Sequence, residues 1–324
     1  MRVFLPRFGH PDVDVMADIF VELARHSILH EITEDLRAAD IALFTQAHAH
    51  PGWPTEEVFG HPAFKHLPGR CFVYDERDMP WCALPGLYVS MPSRSFDTRY
   101  QRAAPYAWLS DRELRSRRTT EPTLLFSFVG STTHKVRSEI LRLQHPRARL
   151  EDTGHFVFYD RSSPDYGSRR KFFLDTLSQS KFVLCPRGHG SSSIRLFETI
   201  AAGRVPVVIS DSWHPPAGLA WQGFCLFVPE CEVREIPAYL VDKEKLFPEM
   251  AARSSEQFDT YLSQRVRFDY MIGQIEELLP HAWHFPTRGV RNMQYARVLA
   301  RQSKARLQRV TASRRSAQSR PECS

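Results

Sequence analysis

The sequence contains no run of about 18 apolar residues, the minimum for a membrane-spanning helix. Its opening, MRVFLPRFGHPDVDVMADIF, meets a charge or a proline every few positions and holds no apolar core of a secretory signal. A cytoplasmic protein is the expectation. Cysteines stand at 71, 82, 185, 225, 231 and 323, and no two form a C-x-x-C pair. That excludes a zinc ribbon and a thioredoxin-type motif and points to free thiols in a reducing compartment. Also missing are the G-x-x-x-x-G-K-S/T loop of an NTPase, the G-x-G-x-x-G dinucleotide fingerprint and the G-x-S-x-G elbow of a hydrolase.

What the 324 residues do supply is enough apolar content for a core, 42%, beside an average 25% of charged residues. The net charge of +6 is unevenly placed. Residues 287–324 hold ten Lys or Arg and one acid, Glu322, so the rest is mildly acidic, with 33 bases against 36 acids. Asp14 to Ala24 carries apolar residues at helical spacing: Val15, Ile19 and Leu23. DIALFT (40–45), RCFVYDE (70–76), GLYVSMP (86–92) and TLLFSFVG (123–130) read as strands. HKVRSEILRLQ (134–144), KFFLDTLSQS (171–180) and residues 256–279 read as helices. KFVLCP (181–186), VPVVIS (205–210) and FCLFVPE (224–230) are short and almost wholly apolar, the pattern of parallel strands covered on both faces.

Strands alternating with helices predict parallel sheets. The charged stretch SDRELRSRRTTEP (110–122), closed by a proline, reads as a connection between two such halves. The predicted class is α/β: a Rossmann-like domain over 1–115, a linker at 116–122, a second Rossmann-like domain over 123–285, and a basic tail over 286–324. Ligands of such sheets sit beyond the C-terminal strand ends, here in a cleft between the halves.

The loop RGHGSSS follows the strand KFVLCP and precedes IRLFETIAAG. The latter reads as a helix with Ile194, Phe197, Ile200 and Ala201 on its buried face and Gly203 as its stop. A serine among 191–193 can cap its start. Glycine and serine amides and a helix N-terminus thus meet at the end of a parallel strand, an arrangement that attracts phosphate. Arg195, in the first helical turn, carries a fork suited to phosphate oxygens. Glu198, one turn on, lies on the same face and suits ribose hydroxyls. Together they suggest a nucleotide diphosphate. The competing reading is an Arg195–Glu198 pair on an ordinary strand-to-helix connection.

Phe182, Leu184, Cys185, Pro186, Gly188, Arg195, Leu196, Glu198, Ala202, Gly203, Pro206, Val207, Ile209, Ser210 and Asp211 spell F-x-L-C-P, a Gly-rich loop, R-x-x-E and A-G-x-x-P-V-x-I-S-D. This resembles the signature of exostosin-type glycosyltransferases. PPAGLAWQGFCLFVPE follows the same family, and ILHEITEDLRAADIALF and LLFSFVGSTTHKVRSEIL resemble its upstream segments. The resemblance is dense over 181–240, sparser over 28–145 and absent from the tail. Arg204 stands where many members carry Cys, which leaves Cys185 without the family's partner. Animal and plant members carry a membrane anchor ahead of the catalytic part; this chain is more similar to a soluble bacterial glycan-assembly enzyme.

The resemblance implies the GT-B fold, with the acceptor mainly on the N-terminal domain and the nucleotide sugar on the C-terminal one. It implies transfer from a nucleotide diphosphate sugar, a UDP-sugar by family usage, to a glycan or lipid-linked glycan hydroxyl. Inversion, no metal and no cofactor are expected, in assembly of surface polysaccharide or lipopolysaccharide. Arg195 would neutralise the diphosphate, with Arg137 and Arg187 as further cations. Glu198 would bind ribose, and the Gly188, His189, Gly190, Ser191 and Ser192 segment would cradle phosphate and donor sugar. Gly130 would let the backbone approach the ligand. The base is expected at a strand end of the first domain: Asp78 by preference, with Glu76, Asp75, His48 and His50 as alternatives.

Two rival readings remain open. A non-catalytic nucleotide- or glycan-binding partner in an assembly complex fits an unidentified base. A metal-dependent hydrolase would use His48 and His50, but no second ligand cluster follows at later strand ends. Asp12-Val13-Asp14 is a D-x-D with no strand leading in, and reads as a helix start. In the tail, Val290, Met293, Ala296, Val298 and Leu307 make no clean apolar stripe. A solvated end or peripheral contact with anionic lipid at the inner face of the membrane fits this composition; nucleic acid is not expected, because no recognition module accompanies the charge.

Overall fold

The computed structural model of the chain describes residues 1–9, 11–45, 55–80, 82, 84–154 and 163–285. His48, His50 and the basic tail lie outside the described residues. The first sheet contains β1 (Arg2–Phe4), β2 (Glu31–Ile32), β3 (Ile41–Thr45), β4 (Cys71–Asp75), β5 (Gly86–Tyr88) and β6 (Gln101–Ala103). Its order is β2-β1-β3-β4-β5-β6, and every neighbouring pair is parallel. Connections include α1 (Pro11–Ala24), α2 (Thr55–Gly60) and α3 (Ala63–His66). All residues of β3 and β4 are buried, as strands covered on both faces require.

After α4 (Asp111–Arg115) comes the second sheet: β7 (Leu124–Gly130), β8 (Ala148–Asp152), β9 (Ser180–Pro186), β10 (Val205–Ile209) and β11 (Leu226–Phe227). It too is parallel, in the order β11-β10-β9-β7-β8. Its helices are α5 (Lys135–Ile140), α6 (Tyr166–Ser178) and α7 (Ile194–Ala201), then α8 (Ile236–Lys243) and α9 (Phe247–Gln257). A wide π turn (Phe258–Leu262) leads from α9 into α10 (Gln264–Glu276) and α11 (Leu279–Ala282). The two parallel sheets are the α/β arrangement that the alternation predicted. No helix among the described residues is long and apolar enough to cross a membrane.

The halves differ from the sequence division at one end. The alternation places residues up to 285 in the second domain, but α10 packs on α1 and β5 of the first. The physical reason is its apolar face: Phe268, Met271, Ile272 and Ile275 complete a cluster with Phe20 and Tyr74. That cluster continues through Phe258 and Leu262 to Phe197 and Ile200 of α7, so one core spans both halves. Arg267, fully buried, pins the crossing: it donates to the carbonyls of Leu262 and Ala107, each at 2.8 Å, and pairs with Asp111 at 2.5 Å.

The segment 116–122 is a run of turns held on both sides. Arg117 pairs with Asp175 at 2.5 Å, and Arg118 with Asp259 at 2.8 Å. Arg204 donates to the carbonyls of Ser178, at 3.0 and 2.7 Å, and of Thr120. On the cleft side, Ser93 N donates to Ser212 O at 2.8 Å, and the Phe96 ring stacks on His214 at 3.9 Å.

Candidate functional site

The strand order of the second sheet reverses at β7, which is first in the chain but lies between β8 and β9. The C-terminal ends of β7 and β9 therefore flank the switch point at which open α/β sheets bind ligands. A cavity of about 650 Å³ opens there. Its walls include Gly130 and Thr133 after β7, Gly188 and Ser192 after β9, and Arg195 and Glu198 of α7. Ser193 takes the N-cap position of α7 in extended conformation, but its side chain closes no cap bond. Gly203 ends the helix with φ +64°, the left-handed turn that a glycine adopts without strain.

Two arginines form the charged floor. Arg195 is 8% exposed and donates to Val129 O, with its guanidinium 4.7 Å from the centroid of the Phe128 ring. Arg137, also 8% exposed, donates to three carbonyls: Arg187 at 2.8 Å, Ser131 at 3.1 Å and Pro186 at 3.2 Å. Neither makes an ion pair among the described residues. Burial, and then the neighbouring Arg195 charge, pushes Arg137 down to about 9. Burial likewise lowers Arg195. Taking an ion out of water costs several kcal/mol unless an opposite charge compensates. Arg195 Nε, Thr133 Oγ1 and Ser192 Oγ, all at this cavity, are buried and have no hydrogen-bond partner among the described residues. The floor is thus built to receive an anion with several acceptor oxygens.

Glu198 does not pair with Arg195. Its Oε1 accepts from Arg170 Nη1 at 2.6 Å. Arg170, on α6, also donates from Nε (3.2 Å) and Nη2 (3.1 Å) to Glu113 Oε2 on α4. Burial alone would lower Arg170, but Glu198 and then Glu113 reverse this, and the net effect is to hold its proton more firmly than usual. Arg170 lines the same cavity and was not among the residues singled out from the sequence. It is 28 positions from Glu198 on another helix, so local spacing gives no sign of the pair.

The other expected residues divide between the cavity and its surroundings. His189 and Asp78 line the cavity, and Asp78 Oδ1 accepts from the Gly190 amide at 3.0 Å across the cleft. Gly190 itself is buried against Asp78 and Ser90, where an added Cβ would lie 2.6 Å from Asp78 Oδ1. Gly130 serves a neighbour more than a ligand: Arg195 Nη2 occupies the space a Cβ would need. Arg187 turns away from the cavity toward Ser212 Oγ, at 3.3 Å, and Glu230, at 3.9 Å. Ser191 is buried beneath the loop, its carbonyl accepting from Ser210 Oγ at 2.9 Å. Glu76 is a correction: it points into the first domain, where it accepts from the Tyr74 hydroxyl at 2.9 Å. Asp75 is buried and gripped by Arg77 through Nη2 at 2.9 Å. Among the described residues no three His, Cys, Asp or Glu side chains gather as a metal site would require.

Comparison with known proteins places this geometry in a family. The Exostosin-1 homolog of Caenorhabditis elegans is 35% identical over 91 residues, 27% of this chain and 24% of that protein. A probable glycosyltransferase of Arabidopsis thaliana is 35% identical over 122 residues, 37% of this chain and 24% of its own length. The chain thus matches about a quarter of the length of either relative. Among solved structures, Anabaena HepE in complex with UDP and glucose shares 10% identity at a TM-score of 0.42, covering 86% of this chain and 99% of that one. The family model described as Exostosin GT47 domain matches residues 46–243, more than half of the chain. The chain belongs to the exostosin GT47 family.

Proposed function

We propose that this chain is a glycosyltransferase that takes a nucleotide diphosphate sugar, UDP-linked by family usage, and passes the sugar to a glycan hydroxyl. The observation that carries this reading is the pair of buried guanidiniums, Arg137 and Arg195, fixed by carbonyls and without an ion pair among the described residues. A diphosphate supplies the missing charge and the missing acceptors. Glu198 lies within the same cavity, in reach of a ribose beside that diphosphate.

In the proposed reaction, Asp78 takes the proton of the acceptor hydroxyl. The acceptor oxygen forms its bond to the anomeric carbon with inversion. The bond from that carbon to the diphosphate oxygen breaks, and its electron pair stays on the diphosphate, where Arg195 and Arg137 neutralise it. Asp78 is favoured because, of the five base candidates chosen from sequence, it is the one described at the cavity. No metal or cofactor has a part in this scheme. The wider setting proposed is assembly of a surface polysaccharide or lipopolysaccharide, with a glycan or lipid-linked acceptor, on the cytoplasmic side of a membrane.

The test is a thermal-shift panel of nucleotides and nucleotide sugars on the wild type and Arg195→Ala. One donor is expected to raise the melting point by roughly 2–4 °C at a hundredfold excess over Kd, and the variant to lose that rise. A panel with no shift, or an equal shift in the variant, contradicts the proposal.

A further inference from the structure

We infer that Arg170 is a positioning residue that makes this site select ribonucleotides over 2′-deoxyribonucleotides, an inference that rests on the nucleotide diphosphate reading above. The reason lies in Glu198. It is a carboxylate only 3% exposed, on the wall of a ligand cavity, and a buried carboxylate needs a partner to stay charged there. Arg170 is that partner, and it engages one oxygen, Oε1, at 2.6 Å. The other oxygen, Oε2, accepts no hydrogen bond among the described residues. A carboxylate held at one oxygen with the other available suits the vicinal hydroxyls of a ribose, which can both donate to it.

The hold on Glu198 is itself braced. Glu113 receives two donors of the same guanidinium, Nε and Nη2, and leaves Nη1 for Glu198. The Phe173 ring lies 5.4 Å from the guanidinium carbon. Three donors of one planar fork are thus committed in fixed directions, which a lysine ammonium cannot reproduce. Glu198 reaches the sugar with its direction already set, so a missing 2′-hydroxyl leaves a charged acceptor short of one donor. Such a loss weakens binding by about tenfold or more.

Calorimetric titration tests this with UDP and GDP, their 2′-deoxy counterparts and inorganic pyrophosphate. The proteins are the wild type, Arg170→Met, Arg170→Lys and Glu113→Gln. For the nucleotide that binds, the wild type is expected to prefer the ribose form by about tenfold or more. Arg170→Met is expected to bring that ratio to within about twofold of unity, Arg170→Lys to recover part of it, and pyrophosphate affinity to change less than the ratio. A fold-wide disturbance would instead weaken all ligands alike. An unchanged ratio in Arg170→Met overturns the inference while leaving the diphosphate reading intact. If Arg170→Met does not fold, Glu113→Gln, altered at a half-exposed carboxylate, decides: a reduced ratio supports the inference and an unchanged one overturns it. Failure of the wild type to bind pyrophosphate and every nucleotide overturns both the inference and the reading beneath it.

Discussion

Arg195 reaches from the first turn of α7 across to Val129 O, and the absence of a side chain at Gly130 is what admits it. The guanidinium is wedged between a strand end and the Phe128 ring, 4.7 Å from the ring centroid. A cation fixed in that way costs little to organise when an anion arrives, which is how preorganised sites gain strength.

Gly130→Ala should therefore act at a distance of one side chain. A methyl group there displaces Arg195 without removing it. UDP affinity is expected to fall by about tenfold or more, the worth of a charged hydrogen bond, while the far-ultraviolet circular dichroism is retained. Unchanged affinity by calorimetric titration would show that the position of Arg195 does not matter.

Asp78 and Glu76 are two positions apart and should behave oppositely. Asp78→Asn is expected to lower sugar transfer by about 10²–10⁴-fold with donor affinity within about threefold of wild type. Glu76→Gln, whose carboxylate faces Tyr74 inside the domain, is expected to alter transfer by less than about threefold and to act on stability, costing about 1–3 kcal/mol. Initial rates and urea unfolding on both variants read the two effects separately.

Arg204 should matter to stability more than to chemistry. It is buried and holds the carbonyls of Ser178, the last residue of α6, and of Thr120, joining the end of α6 to the connecting segment. Arg204→Met leaves those carbonyls without a donor and is expected to cost about 2–4 kcal/mol, measured as a lower urea midpoint. Faster proteolysis within residues 116–122 should accompany it.

Glu244 supplies a pH dependence. Arg147 and then Lys181, at 2.6 and 2.7 Å, hold its carboxyl down to about 2. A carboxyl lowered on folding adds stability above its unfolded value, and that stability is lost as pH falls from about 4.5 toward about 2. After a discount for its partial exposure, Glu244→Gln should cost about 1–2 kcal/mol at pH 7 and progressively less below pH 4.5. Denaturation series at pH 7 and pH 3 check this.

The strands β9 and β10 were legible because, past Ser180 and Lys181, their residues are apolar and covered on both faces, and α7 because its stop at Gly203 and apolar stripe agree. β1, β2 and β6 were not: three residues or fewer carry no periodicity, and their pairing is set by neighbours distant in sequence. Helix α10 was legible as a helix, but nothing in its spacing tells which half its apolar face completes. At the site, Arg195 and Glu198 could be read from one helix turn. Arg170 could not, because it meets Glu198 through the packing of α6 on the sheet. Glu76 was misread because a strand end places neighbouring acids on different sides, and side-chain direction there depends on Tyr74 and its surroundings.

Arg137 and Arg195 are proposed to hold a diphosphate together. Titration of UDP against uridine, on the wild type and on Arg195→Met, tests it most directly. UDP is expected to bind at least about a hundredfold more tightly than uridine, and the variant to lose most of that difference. Uridine binding as tightly as UDP, or a difference that survives in the variant, would contradict it.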